Sequence, residues 1–179
     1  MRIYFMTTER IGFSKWQKND LDLAKLLWGD PEVTHFICVS GSFTEQDIIK
    51  RLDAEIRNDT LYQIQYWPIF KLSTSELIGC CGLRPCGDEP NIYEIGFHLR
   101  KRFWRKGLAA EAARAVLCHA FSTLEVAGLL AGHHPQNVVS QALLIRLGFQ
   151  YVQDCYYAPT GRNHPSYRLT KEAYKAYTA

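Results

Sequence analysis

The stretch that decides the fold is residues 91–124, NIYEIGFHLRKRFWRKGLAAEAARAVLCHAFSTL. In its first part, residues 92–99, Ile95, Phe97 and Leu99 share one parity, and Glu94, Gly96 and His98 share the other. Alternation with a period of two is typical of a β-strand with one face in the core. This part therefore predicts the central strand of a sheet.

The last part of the stretch predicts a helix that follows a basic turn. Residues 108–124 contain neither Pro nor Gly, and apolar residues recur at every fourth position from 112 to 124. That spacing gives one buried helical stripe. Residues 100–106 hold five basic side chains in seven positions, and Gly107 stands where the helix begins. Free backbone N–H groups and the positive end of the helix dipole meet there, so the sequence predicts an anion site.

Two common phosphate-binding motifs do not fit this turn. The dinucleotide fingerprint requires G-x-G-x-x-G, the P-loop requires G-x-x-x-x-G-K-(S/T), and neither is present. WRKGLA at 104–109 instead resembles the pyrophosphate-binding signature (Q/R)-x-x-G-x-(G/A) of the GNAT superfamily of acyl-CoA-dependent N-acetyltransferases. Trp104 replaces the usual Gln or Arg, as in the subgroup similar to ribosomal-protein N-terminal acetyltransferases of the RimJ/RimL type. Arg105 stands where a Gly is usual.

The resemblance extends along nearly the whole chain, because eight blocks follow in the order of that subgroup. They are TTERIGFSKW, LLWGDPEV, FTEQD, ELIGCCGL, YEIGFHL, FWRKGLAAEA, NVVSQALLIRLGF and YRLTKE. The resemblance implies an α/β (α+β mixed) three-layer fold, with a mixed central sheet of six to seven strands flanked by helices. It implies that the sheet is splayed between its fourth and fifth strands, here 92–99 and 126–132. The pantetheine arm of the coenzyme would lie in that opening, with the pyrophosphate over residues 102–109.

Length and composition agree with a single globular domain. At 179 residues, 47% of them hydrophobic, residues 1–179 are expected to form a single acyl-CoA N-acyltransferase domain. The net charge of +3 is mild. We expect a cytoplasmic protein without a leader or membrane span. The six cysteines form no C-x-x-C pair, so we expect reduced, mostly buried thiols rather than disulfides or zinc ligands.

Local patterns predict the remaining elements. The strands are expected at 8–16, 61–70, 77–83, 149–157 and 165–169, besides the two named above. The other helices are expected from a cap at 19 or 20 to about 28, from a capping box at 44–47 to about 58, at 138–147 and after 170. The helix at 138–147 is expected to bury Val139, Leu143 and Leu147 and to end at Gly148.

Acyl transfer from a thioester to an amine requires four groups. These are a polyanion site, a donor to the developing oxyanion, a base for the ammonium and an acid for the leaving thiolate. We expect main-chain N–H groups near Phe97, His98 and Leu99 to supply the oxyanion donor. The expected acetyl-CoA contacts at the helix start are Arg102, Arg105, Lys106, Gly107, Leu108, Ala109 and Ala110.

Two catalytic residues are predicted. Glu94 is the candidate base, because it lies on the strand that leads into the site and the family often places a carboxylate there; His98 shares its parity and is the alternative. Asn137 and Ser140 match the N-x-x-S motif of the family, which implies that Asn137 contacts the pantetheine and that Ser140 is the general acid. Leu143, one turn further, is expected in the same coenzyme site.

Competing interpretations remain open at this level. Glu94 could simply face solvent or pair with an Arg, and Asn137 could be only a helix cap. His133 and His134 are adjacent, so joint metal ligation is not expected, and no metal is predicted. The basic turn at 100–106 could be a nucleic-acid surface, or the fold could be a non-catalytic acyl-CoA sensor. We expect a monomer or homodimer without nucleic-acid or membrane partners.

The sequence also limits what can be said of the reaction. No Cys lies beside a paired His in a recognised nucleophile motif, so direct attack in a ternary complex is expected rather than an acyl-cysteine. No pattern in the sequence distinguishes a protein N-terminus from a small molecule as the acceptor amine. Its specificity is expected to come from loops around 33–42 and 154–164.

Overall fold

The computed structural model describes residues 2–87 and 89–178, with the side chains of 177 and 178 excepted. Its strands are β1 (Met6–Thr7), β2 (Ile11–Phe13), β3 (Tyr66–Lys71), β4 (Glu76–Pro85), β5 (Ile92–Leu99), β6 (Gly128–Gly132), β7 (Gln150–Tyr157) and β8 (Arg162–Thr170). Its helices are α1 (Leu21–Trp28), the single turn α2 (Pro31–Thr34), α3 (Glu45–Tyr62), α4 (Leu108–Ser122), α5 (Val138–Arg146) and α6 (Lys171–Thr178). Within these residues no helix combines the length and apolarity needed to span a bilayer.

The strands form one mixed sheet in the order β1-β2-β3-β4-β5-β6-β8-β7. All neighbours are antiparallel except β5 and β6, which are parallel and joined through α4. A parallel pair needs such a crossover, and this explains why the longest apolar helix follows the central strand. The predicted mixed α/β architecture is confirmed.

The sheet opens between β5 and β6. Their parallel pairing runs only from Ile92 and Gly128 to Glu94 and Leu130. β5 continues to Leu99, where it is still paired with Gly79 of β4. The second half of β5 is therefore held on one side only, and the predicted splay lies between the two strands named in advance.

The core has one layer on each face of the sheet. On one face Ile95 and Leu99 of β5 pack with the stripe of α4 at Ala112, Val116 and Ala120. The other face packs α1 and α3 against β3 and β4, with Trp28, Leu52, Tyr66 and Cys80 in its cluster. The odd-numbered residues of β5 therefore face the first layer, while His98, on the other parity, contacts Trp28 of the second, and this division explains the alternation in the sequence of β5.

The sequence predicted the central elements closely and the N-terminal third less well. The strand expected at 8–16 is a hairpin, because residues 8–10 turn between β1 and β2, and this brings the sheet to eight strands. The strand expected from 61 begins only at Tyr66. The capping box at Thr44 and Asp47 is present, but α3 continues to Tyr62 and ends at Gln63 with a φ of 59°. The alternating residues at 62–65, which predicted a strand, therefore belong to the end of α3 and to the loop that follows it.

Two burial predictions were also wrong. Val139 is 76% exposed and Leu143 is only half-buried, whereas Leu144 is buried and the predicted burial of Leu147 is confirmed. Spacing along a short helix defines a stripe but cannot say which of two adjacent stripes faces the sheet. All six cysteines are free thiols, but only Cys80 and Cys81 are buried, and Cys118 and Cys155 are exposed.

Candidate active site

The N-terminus of α4 presents unbonded amides. Gly107 caps the helix with a φ of 76°, and no side chain caps it. The first helical hydrogen bond comes from Glu111 N–H to Gly107 O at 3.0 Å. The amides of Leu108, Ala109 and Ala110 precede that bond, so they have no acceptor within the helix. Arg105 also has a positive φ of 58°, and such turns before a helix form concave anion sites.

The first hairpin holds this turn in place. Glu111 accepts hydrogen bonds from Thr8 Oγ1 at 2.5 Å, from Arg10 N–H at 3.0 Å and from Arg10 Nε at 2.7 Å. Arg10 Nη1 also donates to Lys106 O at 3.0 Å. Partial burial raises the pKa of Glu111, but the hydrogen bonds from Thr8 and Arg10 outweigh it and keep the pKa below its ordinary value. The turn before α4 is therefore held in place by residues about 100 positions earlier in the chain.

The five basic side chains of the turn differ in their availability. Arg100 Nη1 donates to Leu77 O at 3.0 Å and is largely buried. Lys101 pairs with Glu32, and Arg102 Nη1 lies 2.6 Å from Glu76 Oε1. Arg105 and Lys106 have no acidic partner among the described residues. Only part of the local charge is thus available to a polyanion.

The main chain of β5 faces the opening of the sheet at every second residue. Arg100 N–H bonds to Ile78 O of β4, whereas Asn91 O accepts from Ala127 N–H on the β6 side. The N–H and C=O groups of successive residues point to alternate sides of a strand. The odd-numbered residues of β5 therefore direct their N–H and C=O groups toward β6. Phe97 and Leu99 therefore point their N–H groups into the opening. His98, which was predicted with them, directs its N–H toward β4.

The end of β5 is also tied to the anion turn. Trp104 Nε1 donates to Leu99 O at 2.7 Å, while 40% of the Trp104 residue remains exposed. Leu99 O therefore has a partner, and its N–H stays directed into the opening. The Trp found at the first position of the signature thus links the turn to the strand.

Glu94 lies where β5 and β6 separate, and it is held by two side chains. Tyr66 Oη donates to Glu94 Oε1 at 2.9 Å. Arg84 Nη2 lies 2.8 Å from Oε1 and 3.0 Å from Oε2. Gly96 makes this possible, since a Cβ there would lie 2.1 Å from Tyr66 Oη. The predicted Arg pairing is present, but the Glu94 side chain keeps 27% of its surface exposed, so its carboxylate remains reachable by water.

His98, the alternative base, is enclosed by other side chains. Trp28 Nε1 donates to His98 Nδ1 at 3.2 Å, and Cys80 Sγ lies 3.7 Å from the same nitrogen. Burial, aided by the positive charges of Arg51 and Arg84, lowers the pKa of His98 well below its ordinary value. A neutral, enclosed imidazole of this kind is a poor proton acceptor, so the geometry favours Glu94.

The N-terminus of α5 lies at the same end of the parallel pair. Asn137 Oδ1 accepts a hydrogen bond from Ser140 N–H at 3.1 Å, so Asn137 does cap the helix. Ser140 Oγ makes no hydrogen bond to any described residue, and Leu143 packs against the main core. Both helices that follow β5 and β6 therefore begin at the carboxyl ends of those strands, which is where open α/β sheets bind ligands.

The two loops expected to carry acceptor specificity meet. Val39 N–H donates to Pro159 O at 2.8 Å, and the rings of Phe36 and His134 are 5.1 Å apart. His133 Nδ1 donates to His134 O at 2.8 Å, and Gln136 N–H donates to His134 Nδ1 at 3.2 Å. The two histidines therefore hydrogen-bond within their own loop, and no group of three metal-ligating side chains occurs within residues 2–87 and 89–178.

Comparison with known proteins gives the class of this fold and site. Residues 10–150 match the model of the acetyltransferase (GNAT) domain. The chain is 32% identical over 144 residues to the uncharacterized N-acetyltransferase p20 of Bacillus licheniformis, covering 80% of each chain. It therefore belongs to the GNAT acetyltransferase family, and the resemblance noted in its sequence is confirmed. Relatives named as N-acetyltransferases identify it as an enzyme of that class.

Solved structures agree on the fold. A GNAT-family acetyltransferase from Bacillus anthracis aligns with a TM-score of 0.78 at 22% identity, over 93% of this chain and 98% of its own. RimL, a ribosomal L7/L12 alpha-N-protein acetyltransferase solved with coenzyme A, aligns with a TM-score of 0.79 at 13% identity, over 96% and 99%. At these identities the solved structures establish the fold alone.

Sequence reasoning missed the residues that surround Glu94. Tyr66 is 28 positions and Arg84 ten positions away along the chain, and neither belongs to a motif. Gly96 was the available signal, because a Gly between two polar residues on one strand face often marks a close approach. Arg10 and Thr8, which fix the anion turn, have no comparable signal.

Proposed function

We propose that this protein is an N-acetyltransferase that moves an acetyl group from acetyl-CoA to a primary amine by direct attack in a ternary complex. Residues 1–179 act as one catalytic domain in this proposal. The observation that carries it is the open side of β5. There the Phe97 and Leu99 N–H groups face a gap between Glu94 and the unbonded amides at the start of α4.

The residues present fit acetyl-CoA. A diphosphate matches the amides of residues 108–110, with Arg105 and Lys106 adding charge, whereas Arg102, which was expected to contribute, is paired with Glu76. Val138 and Val139 are 62% and 76% exposed at the start of α5, so they offer apolar surface beside Asn137 and Ser140. The coenzyme supplies the acetyl thioester; the chain orients it between the two helix starts.

Main-chain and side-chain groups of the protein supply the three remaining catalytic roles. A main-chain N–H of Phe97 or Leu99 donates to the oxygen that gains negative charge, and one such donor contributes about 3 kcal/mol to lowering the barrier. Glu94 takes a proton from the acceptor ammonium, directly or through a water molecule, and the neutral amine that results attacks the thioester carbon. Ser140 donates a proton to the departing sulfur, since its hydroxyl has no partner among the described residues.

No cysteine is assigned a covalent role. Burial raises the pKa of the Cys80 thiol and holds that of Cys81 well above its ordinary value. Neither is a ready thiolate, and only thiolates attack thioesters efficiently. Mass spectrometry after incubation with acetyl-CoA alone should find no acetylated cysteine, and a stoichiometric acetyl-cysteine would overturn direct attack.

The decisive test is release of free thiol from acetyl-CoA with a panel of primary amines, with mass spectrometry of the products. We expect acceptor-dependent release. Thermal stabilisation by acetyl-CoA without release for any amine would instead indicate the non-catalytic sensor. The nucleic-acid alternative is weakened by the pairing of Lys101 and Arg102 with acidic residues, and affinity for DNA or RNA that falls steeply with salt would revive it.

A further inference from the structure

His98 stands at the margin of the opening between β5 and β6. It lies between the two residues whose main-chain N–H groups point into that opening. On the side of β4 its imidazole is covered by Trp28, Tyr66 and Cys80. The residue is nevertheless only half-buried. Because the pairing of β5 with β6 ends at Glu94, the exposed part of His98 faces the opening.

The hydrogen bond from Trp28 fixes the tautomer of His98. An indole N–H can only donate, so His98 Nδ1, which lies 3.2 Å from Trp28 Nε1, carries no proton. The single proton of the neutral imidazole is then on Nε2. A cationic imidazole would direct a second N–H at Trp28. This clash favours the neutral form, as do burial and the charges of Arg51 and Arg84, which lower the pKa of His98.

The orientation of the imidazole is held as firmly as its tautomer. Trp28 is fully buried, its ring centre lies 5.1 Å from that of Trp16, and the Arg51 guanidinium lies 5.3 Å from it. The Tyr66 ring meets the His98 ring edge-on, with 5.7 Å between the centres. The proton on Nε2 therefore has one direction before any ligand binds.

Nε2 of His98 is the unused end of this arrangement. It makes no hydrogen bond to any described residue, and it reaches the surface of the protein. A neutral donor that is fixed in advance stabilises a developing negative charge without reorganising. A neutral imidazole can polarise a carbonyl in this way. The lone pair of Nδ1 is taken by Trp28, so His98 is suited to donate a hydrogen bond rather than to accept a proton.

We propose that His98 Nε2–H donates a hydrogen bond to the thioester oxygen of acetyl-CoA, beside a main-chain N–H of β5. The proposal rests on the proposed function, since it adds a second donor to that reaction. The amine attacks the carbonyl carbon, the π electron pair moves to the oxygen, and the pair returns when the C–S bond breaks and its electrons leave with sulfur. His98 keeps its proton throughout. Trp28 is a positioning residue, because it acts through His98.

The first test measures the carbonyl directly. Acetyl-CoA that carries ¹³C at the carbonyl is bound without any amine, and its C=O stretch is isolated by infrared difference against the unlabelled compound. Hydrogen bonding lowers the frequency of this stretch. We expect a band below that of free acetyl-CoA, and His98→Asn should lose part of the shift. The same band in His98→Asn and in the unaltered protein overturns the proposal.

Two substitutions at position 98 separate donation from packing. His98→Asn keeps an acceptor for Trp28 but has no donor at the position of Nε2, so kcat should fall roughly 10²- to 10³-fold. His98→Gln places an amide N–H near that position and gives up the Trp28 hydrogen bond, so it should recover part of the loss. A packing role predicts the reverse order. Higher kcat in His98→Asn than in His98→Gln therefore overturns the proposal.

The pH dependence of kcat/KM separates a donor from a base. Of the groups that face His98, Arg51 and Arg84 stay cationic, and burial keeps the pKa of Tyr66 and of Cys80 above the ordinary values. His98→Asn should therefore lower the whole profile without changing its shape. If an acidic limb disappears with the imidazole, His98 is the base and the proposal is wrong.

Trp28 can be tested by the same carbonyl band. Trp28→Phe keeps an aromatic ring and removes the donor to Nδ1, so the band should move part of the way toward that of His98→Asn. Trp16→Phe is the matched control, because Trp16 Nε1 donates to Tyr66 O at 2.7 Å rather than to His98, and its band should not move. Identical bands in these two variants would show that Trp28 does not position His98.

Thiol release separates the two levels of inference. Release with an amine, together with a carbonyl band that is unchanged in His98→Asn, leaves the proposed function intact and overturns the role of His98. A band shift that depends on His98, without thiol release for any amine, supports the hydrogen bond and contradicts the transferase activity.

Discussion

Tyr66 Oη donates a 2.9 Å hydrogen bond to Glu94 Oε1 from two strands away in the sheet. The phenol reaches Glu94 by passing over Gly96, the one position between Glu94 and His98 on that face of β5. Tyr66 is buried, so its hydroxyl and the Arg84 guanidinium together fix one orientation of the carboxylate. This relationship orients the group that we assign as the base.

Replacing Glu94 should impair catalysis rather than coenzyme binding. Glu94→Gln is expected to lower kcat/KM by roughly 10²- to 10⁴-fold, because the amide cannot accept the ammonium proton. The Kd for acetyl-CoA should stay within about twofold, because the coenzyme contacts lie at the two helix starts. Glu89→Gln is the control, since Glu89 pairs with Arg168 at an exposed position. Full activity in Glu94→Gln would remove Glu94 from the mechanism.

The support of Glu94 by Tyr66 can be measured as a coupling energy. Tyr66→Phe removes one hydrogen bond and should cost about 1 kcal/mol, or roughly fivefold in kcat/KM. Gly96→Ala should cost at least as much, because its Cβ would occupy the place of the phenol. The double variant should be less impaired than the product of the two effects. Strict additivity would show that Gly96 does not act through the Tyr66 hydroxyl.

The cap of α4 should be required for coenzyme binding. Alanine at the φ of 76° of Gly107 costs about 1–2 kcal/mol of folding stability and disturbs the amides that follow. Gly107→Ala should weaken acetyl-CoA binding about tenfold or more in calorimetry. Gly87→Ala meets a similar φ of 58° with no neighbour within 4 Å, so it should lose stability alone. Unchanged affinity in Gly107→Ala would argue against diphosphate binding at this turn.

Replacing Asn137 should lower stability, whereas replacing Ser140 should lower the rate of the reaction. Asn137→Ala loses the cap of α5 and should lower the free energy of unfolding by about 1 kcal/mol. Ser140→Ala keeps the capping hydrogen bond, which uses its main-chain N–H, so its stability should be unchanged while kcat falls. Chemical denaturation and steady-state kinetics on the two variants check this. A Ser140→Ala protein with normal kcat would exclude the hydroxyl as the acid.

Acid should destabilise the fold partly through His98. Burial keeps the folded-state pKa of His98 below the ordinary value of 6.5, so at higher pH the imidazole is neutral in both states. Below pH 6.5 the unfolded chain takes up a proton that the folded chain does not, and stability falls. This residue should therefore contribute to a loss of folding stability between pH 7.5 and 5.5. His98→Asn, which keeps an acceptor for Trp28, should reduce that loss in urea titrations. If the free energy of unfolding of His98→Asn depends on pH as that of the unaltered protein does, His98 is not a source of the acid destabilisation.

The sequence by itself determined the elements that are governed by local physics. The alternation at 92–99 repeats every two residues, which indicates a strand. The apolar stripe after Gly107 repeats at i+4, which indicates a helix, and both patterns hold regardless of the rest of the chain. β5, α4 and the unbonded helix start could therefore be placed in advance, and Glu94, Ser140 and residues 102–110 could be named as site candidates. The matching GNAT domain confirms the family to which those elements belong.

Only the tertiary structure decided which distant groups act together. Residues 61–65 illustrate the limit, since their alternation looks like a strand, while the packing of α3 extends the helix to Tyr62 and buries Gln65 against Trp16 N–H. The contacts of Glu94 with Tyr66 and Arg84 arise from sheet order and register. These depend on the free energy of the whole core, which no local pattern contains.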